Sequence, residues 1–124
     1  MGQLPMSSEP PNQSPPAPSG PKYSARVALN CKQGHPPGPV LHALQQLRSV
    51  IDDRLRSDLG PRYDRHSAQS VGTDKLMVVF TIRAGTPVEA IRSAGLAAAT
   101  LIDVLTDTEA AIDVSGIALV VRAL

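Results

Sequence analysis

The stretch KLMVVFTIRA (residues 75–84), then TPVE (86–89), an apolar helical period, and finally GIALVVRAL (116–124) decides the fold. Leu76, Val78, Phe80 and Ile82 alternate with Met77, Val79, Thr81 and Arg83, which is the period of a strand, and both sets are largely apolar. Such a strand belongs in the middle of a sheet. Thr86 and Glu89 have the spacing at which side chains satisfy free N–H groups of a first helical turn, and Pro87 fits the first helical position. The helix predicted from there carries Ile91, Ala94, Leu96, Ala98, Leu101, Ile102 and Leu105, with Gly95 and the alanines allowing close approach to a sheet. Thr106 to Ser115 reads as a connection, and Ile117, Leu119, Val121 and Ala123 as the core-facing positions of a last strand.

A weaker copy of the same order precedes this unit. Ala25, Val27, Leu29 and Cys31 alternate with Ser24, Arg26, Ala28 and Asn30, so Ser24–Cys31 is a half-buried strand. A Gly- and Pro-rich loop leads to Pro39, where a helix opens and carries Val40, Leu44, Leu47, Val50, Ile51, Leu55 and Leu59 until Gly60-Pro61 stops it. Residues 62–70 have strand length and mostly polar residues, as an edge strand does, and Val71-Gly72-Thr73-Asp74 reads as a hairpin connection. The whole is β-α-β-β-α-β in an α+β domain. With right-handed crossovers this resembles the ferredoxin-like split-βαβ sandwich, a four-stranded antiparallel sheet with two helices on one face. The first and third strands are then inside and the second and fourth are edges.

The first 22 residues hold seven of the twelve prolines and no apolar period, so they read as a disordered Pro/Ser-rich tail ahead of a single domain over 23–124. Pro10-Pro11 and Pro15-Pro16-Ala17-Pro18 favour polyproline II, and the tail reads as a tether before a docking motif. One cysteine, Cys31, excludes an internal disulfide framework, and the sequence shows no basic-then-apolar leader and no membrane-length apolar run. A cytoplasmic location is expected. The bias to arginine, alanine and proline follows a GC-rich coding sequence and suggests a bacterial source. A formal net charge of +1, and Tyr23, Tyr63 and Phe80 as the only aromatics, disfavour nucleic-acid binding. Tyr63 alone is expected to be placed for stacking.

Chemistry is sparsely signalled. Cys31, His35 and His42 are close in sequence but complete no metal-ligand spacing, and Cys31 with His35 lacks a third orienting group. Asp52, Asp53 and Asp58 among Arg48, Arg54 and Arg56 read as helix-surface ion pairs. Gly34 to Gly38 lacks the pattern of a phosphate loop. No catalytic, cofactor or metal site is expected.

The surfaces say more. If both helices cover one face, then Ala28, Met77, Val79, Ala118 and Val120 remain on the other, more apolar than a lone sheet face usually is. The last strand is an apolar edge. Both features predict a homodimer, through the open sheet face or the last strands. Arg26, Arg83 and Arg122 fall at one end of that face, with Asp64 a candidate partner, and suit an anion or an acidic protein partner. The leading expectation is a non-catalytic assembly, adaptor or accessory protein. The alternative is a sensor domain for an amino acid or anionic metabolite, bound at strand–helix loops such as Gly34–Gly38 or at the dimer interface.

Overall fold

A computed structural model of the protein describes residues 20–108 and 110–124. The chain runs through β1 (Lys22–Cys31), α1 (Pro37–Gln46), α2 (Arg48–Leu59), a single 3-10 turn (Gly60–Arg62), β2 (Tyr63–Val71), β3 (Lys75–Arg83), α3 (Pro87–Asp107) and β4 (Ile112–Ala123). The strands form one antiparallel sheet in the order β2-β3-β1-β4, with β1 and β3 inside and β2 and β4 at the edges. The architecture is therefore α+β, an open four-stranded sheet with three helices.

Alternation along the inner strands sets the core. Ala25, Val27 and Leu29 of β1 and Leu76, Val78, Phe80 and Ile82 of β3 point to one side and are buried. Ile51 and Leu55 of α2 and Leu101 and Leu105 of α3 close over them with no exposed surface beyond 1%. Complete burial of one such side chain contributes about 1.5–3 kcal/mol.

The start of α3 follows from its cap. Thr86 Oγ1 accepts from the Glu89 N–H at 3.1 Å, and Glu89 Oε1 reaches back to the Gly85 N–H at 2.7 Å, one residue before the cap. Of the donors a helix start leaves free, Pro87 removes one by having no N–H, and the Thr86 side chain satisfies that of Glu89.

The structure corrects several sequence expectations. The helix expected over 39–59 opens at Pro37 and is divided at Leu47 (φ −89°, ψ 5°), which gives three helices instead of two. The hydrogen-bonded ladder passes through the division: Leu47 donates to Ala43 and accepts from Ile51, each at 2.9 Å. Val50, expected inward, is exposed. Strand β1 begins at Lys22 instead of Ser24, and the Ala84 N–H donates to the Pro21 carbonyl at 3.3 Å. The expected tail lies outside the described residues through residue 19.

Strand β4 begins at Ile112, not at residue 116. Its register to β1 shifts between Leu29 and Asn30, which pair with Ile117 and Asp113 respectively. The looped-out residues are held by Asp113 Oδ1, which accepts from the Ser115 N–H at 3.0 Å and from the Ser115 hydroxyl at 2.5 Å. A Cβ at Gly116 would run into the Asn30 side-chain amide, which would have to turn aside. Among the described residues no helix is long and apolar enough to cross a membrane.

Candidate functional site

The face of the sheet away from the helices is read from the register. One row across it is Gln69, Met77, Ala28 and Ala118, and the next is Ser67, Val79, Arg26 and Val120. The five apolar residues expected on this face are neighbours there: Ala28, Met77 and Val79 are half-buried, while Ala118 and Val120 are exposed. Arg26, however, is exposed between Val79 and Val120 and splits the patch. A flat partner would have to bury that guanidinium, and burial of an unpaired charge is strongly unfavourable.

The third row is Arg65, Thr81, Ser24 and Arg122, and beyond it Arg83 stands opposite Lys22. Arg26, Arg83 and Arg122 therefore share one end of one face, with Lys22 and Arg65 added to them. Asp64 is present there too, but it pairs with Lys22 (Oδ2 to Nζ, 3.2 Å) and with no arginine. Among the described residues no ion pair involves Arg26, Arg65, Arg83 or Arg122.

The outer edge of β4 is the second surface. Of the ten exposed large apolar side chains among the described residues, four belong to this strand: Val114, Ile117, Leu119 and Val120. Ile117 and Leu119 were expected in the core and do point to the helix side, opposite Leu29 and Val27. They are nonetheless 40% and 37% exposed, because they lie on the outermost strand. On α3 the side away from α2 continues this surface with exposed Ile91 and half-buried Ile102. No charged residue occurs between Asp113 and Arg122. The β2 edge, by contrast, carries Asp64, Arg65, Ser67 and Gln69.

A third feature was not foreseen. Tyr63 and His66 of β2 are buried, 4% and 6% exposed, and meet Asp52 of α2. The Tyr63 hydroxyl donates to Asp52 Oδ1, the His66 Nδ1 lies 2.7 Å from that hydroxyl, and Asp52 Oδ1 lies 2.9 Å from His66 Nδ1. Arg56 stacks over the Tyr63 ring at 5.2 Å. Burial alone would raise the Asp52 carboxyl, but the Tyr63 and His66 contacts outweigh it and hold it below the usual range. Burial lowers His66 despite the pull of Asp52, so at neutral pH the imidazole is uncharged and its contact is a hydrogen bond, not an ion pair. Burial and the Asp52 carboxylate raise the Tyr63 phenol. A cavity of about 100 Å³ bordered by Leu44, Gln45, Arg48, His66, Ser67 and Ala68 adjoins the cluster, room for a few waters. The arrangement resembles a base with its orienting acid, and the hydroxyl within hydrogen-bond distance of the imidazole among the described residues is that of Tyr63, which is buried. The cluster ties α2 to β2.

Tyr63, the one aromatic considered for base stacking, lies under the helices, as do Tyr23 and Phe80, so the open face has no aromatic ring. Cys31 is buried at the far end of β1, where burial and the nearby Asp74 raise its thiol. His35 and His42 are exposed, on the loop and on α1. No three His, Cys, Asp or Glu side chains gather into a metal-binding group among the described residues. The Gly34–Gly38 loop borders a cleft of about 630 Å³ with Lys32, His35, Asp74 and Asp113 on its walls. Compared with known families, with curated proteins and with solved structures, the chain shows no match to any of them.

Proposed function

We propose that this protein is a small, non-catalytic cytoplasmic component that works as a homodimer, formed by antiparallel pairing of β4 with β4 of a second copy. The fold that suits this reading is the ferredoxin-like split-βαβ sandwich: β1 and β3 lie inside, and the third helix arises only from the division at Leu47. The observation that carries the proposal is the β4 edge, apolar on both sides and free of charge between Asp113 and Arg122. Alternate residues of this twelve-residue strand direct roughly six N–H and six C=O groups outward. Edges left in this condition pair with other strands unless charge, proline or a covering element blocks them.

A second copy fits better than another partner because the strand complements itself. Asp113 and Arg122 bound an apolar run, so antiparallel pairing of two copies sets apolar residue against apolar residue through the centre and leaves Arg122 opposite the uncharged Gly116 of the other copy. Pairing about Leu119 sets Ile117 against Val121 on the helix side and Ala118 against Val120 on the open side. Covering the 37% of Leu119 still exposed, on both copies, contributes about 1–2 kcal/mol.

Sedimentation velocity over a concentration series tests the proposal. The wild type should sediment as a dimer at micromolar concentration, Leu119→Lys should weaken the dimer at least about tenfold, and Val79→Lys on the open face should leave it intact. A monomer at every concentration, or loss of the dimer with Val79→Lys alone, overturns it.

A further inference from the structure

Ser24 is 5% exposed, and its hydroxyl has no hydrogen-bond partner among the described residues. Buried hydroxyls are nearly always satisfied, and of the two left alone among the described residues, Ser93 lies on α3 and Ser24 on the sheet. Ser24 projects onto the open face, with Thr81 beside it on β3 and Arg122 beside it on β4. Lys22 and Arg26 lie to either side along β1, Arg83 is diagonal on β3, and Arg65 lies just past Thr81 on β2.

Strand spacing puts the Cα atoms of these five cations about 5–10 Å from that of Ser24, within reach of arginine side chains. Among the described residues the one ion pair made by this group is that of Lys22 with Asp64. The whole chain carries only +1, so everything outside this corner is net acidic and the positive charge is concentrated here.

We propose that this corner binds the phosphoryl group of a small phosphate monoester: the neighbouring side chains that now cover the Ser24 hydroxyl turn aside, that hydroxyl donates to one oxygen, and the guanidinium groups of Arg26, Arg83 and Arg122 close around the others. A dianion matches a net positive ring better than a single carboxylate does, and planar guanidinium forks fit phosphate oxygens in pairs. A nucleic-acid backbone is the poorer ligand, because the cations form a ring instead of a track and the face offers no aromatic ring to a base.

The test uses the full chain and amide chemical shifts at fixed ionic strength, titrated separately with inorganic phosphate, glycerol 3-phosphate, acetate and a short oligothymidylate. Phosphate and glycerol phosphate should produce saturable shifts centred on Ser24, Thr81 and Arg122, with glycerol phosphate bound at least as well and acetate and the oligonucleotide bound more weakly. Ser24→Ala removes no partner present in the free protein, so it folds, and it should weaken binding about fivefold. Arg26→Gln with Arg122→Gln should weaken it at least about tenfold, while Arg92→Gln on α3 changes nothing. Leu119→Lys should bind phosphate normally, which separates this site from the dimer. Absence of saturation at millimolar phosphate, shifts centred elsewhere, or undiminished binding by Ser24→Ala and the double variant would each overturn the assignment. Tighter binding of the oligonucleotide than of glycerol phosphate would overturn the choice of ligand.

Discussion

Replacing Asp52 by Ala tests whether the buried cluster between α2 and β2 is a structural tie. Asp52 accepts from the Tyr63 hydroxyl and holds the His66 ring at 2.9 Å, and both partners are over nine-tenths buried. Without the carboxylate, Tyr63 can still donate to His66 at 2.7 Å, so one of the two contacts finds a substitute and the other is lost. A hydrogen bond to a charged acceptor contributes about 1.5–3 kcal/mol, and the side chain of Asp52 is 26% exposed, so about 2 kcal/mol is expected. Urea denaturation at pH 7.5 measures it, with exposed Asp53→Ala on the same helix as the control.

The pH dependence carries a second signature of the same cluster. His66 has a lower pKa folded than unfolded, so on acidification the unfolded chain takes up its proton first. Stability is therefore present above about pH 6.5 and is lost as pH falls towards the folded value. Asp52 is also depressed, and its contribution, present above about pH 4, is lost as pH falls further through its own folded value. Removing Asp52 removes the attraction that partly restores the His66 pKa, so the variant should lose more stability than the wild type between pH 7 and pH 5. A loss no larger than that of Asp53→Ala, with an unchanged pH profile, would refute the cluster as a tie.

Other outcomes follow from single residues. Ser24→Ala should raise the stability of the unliganded protein by up to about 1 kcal/mol, read as a higher urea midpoint, since it deletes a buried hydroxyl with no partner. Thr86→Ala should cost about 1 kcal/mol in the same assay by leaving the Glu89 N–H without its cap. Cys31, buried and with its thiol raised, should react with a disulfide reagent at pH 7.5 far more slowly in the native protein than in urea.

How much of this was legible in the sequence depends on where the strand period is unbroken. Along β3 it is regular, and the predicted inside position and both faces are found. The Thr86–Pro87–Glu89 start was legible because capping is local. The cluster at β2 was not, because Tyr63 and His66 are an odd number of residues apart and a period of two puts them on opposite faces. Only the register shift between Tyr63 and Arg65 brings both under the helices. The start of β4 was hidden in the same way, since Asp113 and Ile117 occupy neighbouring register positions. Ile117 and Leu119 were assigned to the correct side of the sheet, but their exposure depends on how far α3 reaches across it. No periodicity in β4 itself encodes that reach.

The position of the arginines also favours the proposed edge pairing over stacking of the open faces. Stacking two open faces would press Arg26 of each copy into the partner sheet and confine both cation corners in one narrow layer, where water could no longer screen them. Edge pairing has neither cost. With strands about 4.8 Å apart, a rise of about 3.3 Å per residue and a two-fold axis at Leu119, the two Ser24 positions fall about 25 Å apart on the same side of an eight-stranded sheet. That distance is several times the Debye length of about 8 Å in physiological salt, so the two corners neither oppose the dimer nor compete for a ligand. The same geometry makes the phosphate and dimer measurements independent. Phosphate should not shift the dimer constant measurably, because it touches no residue at the β4 edge except Arg122, whose partner-side neighbour is the uncharged Gly116. A large shift would mean that the corners lie at the interface after all, and it would favour face stacking over the edge.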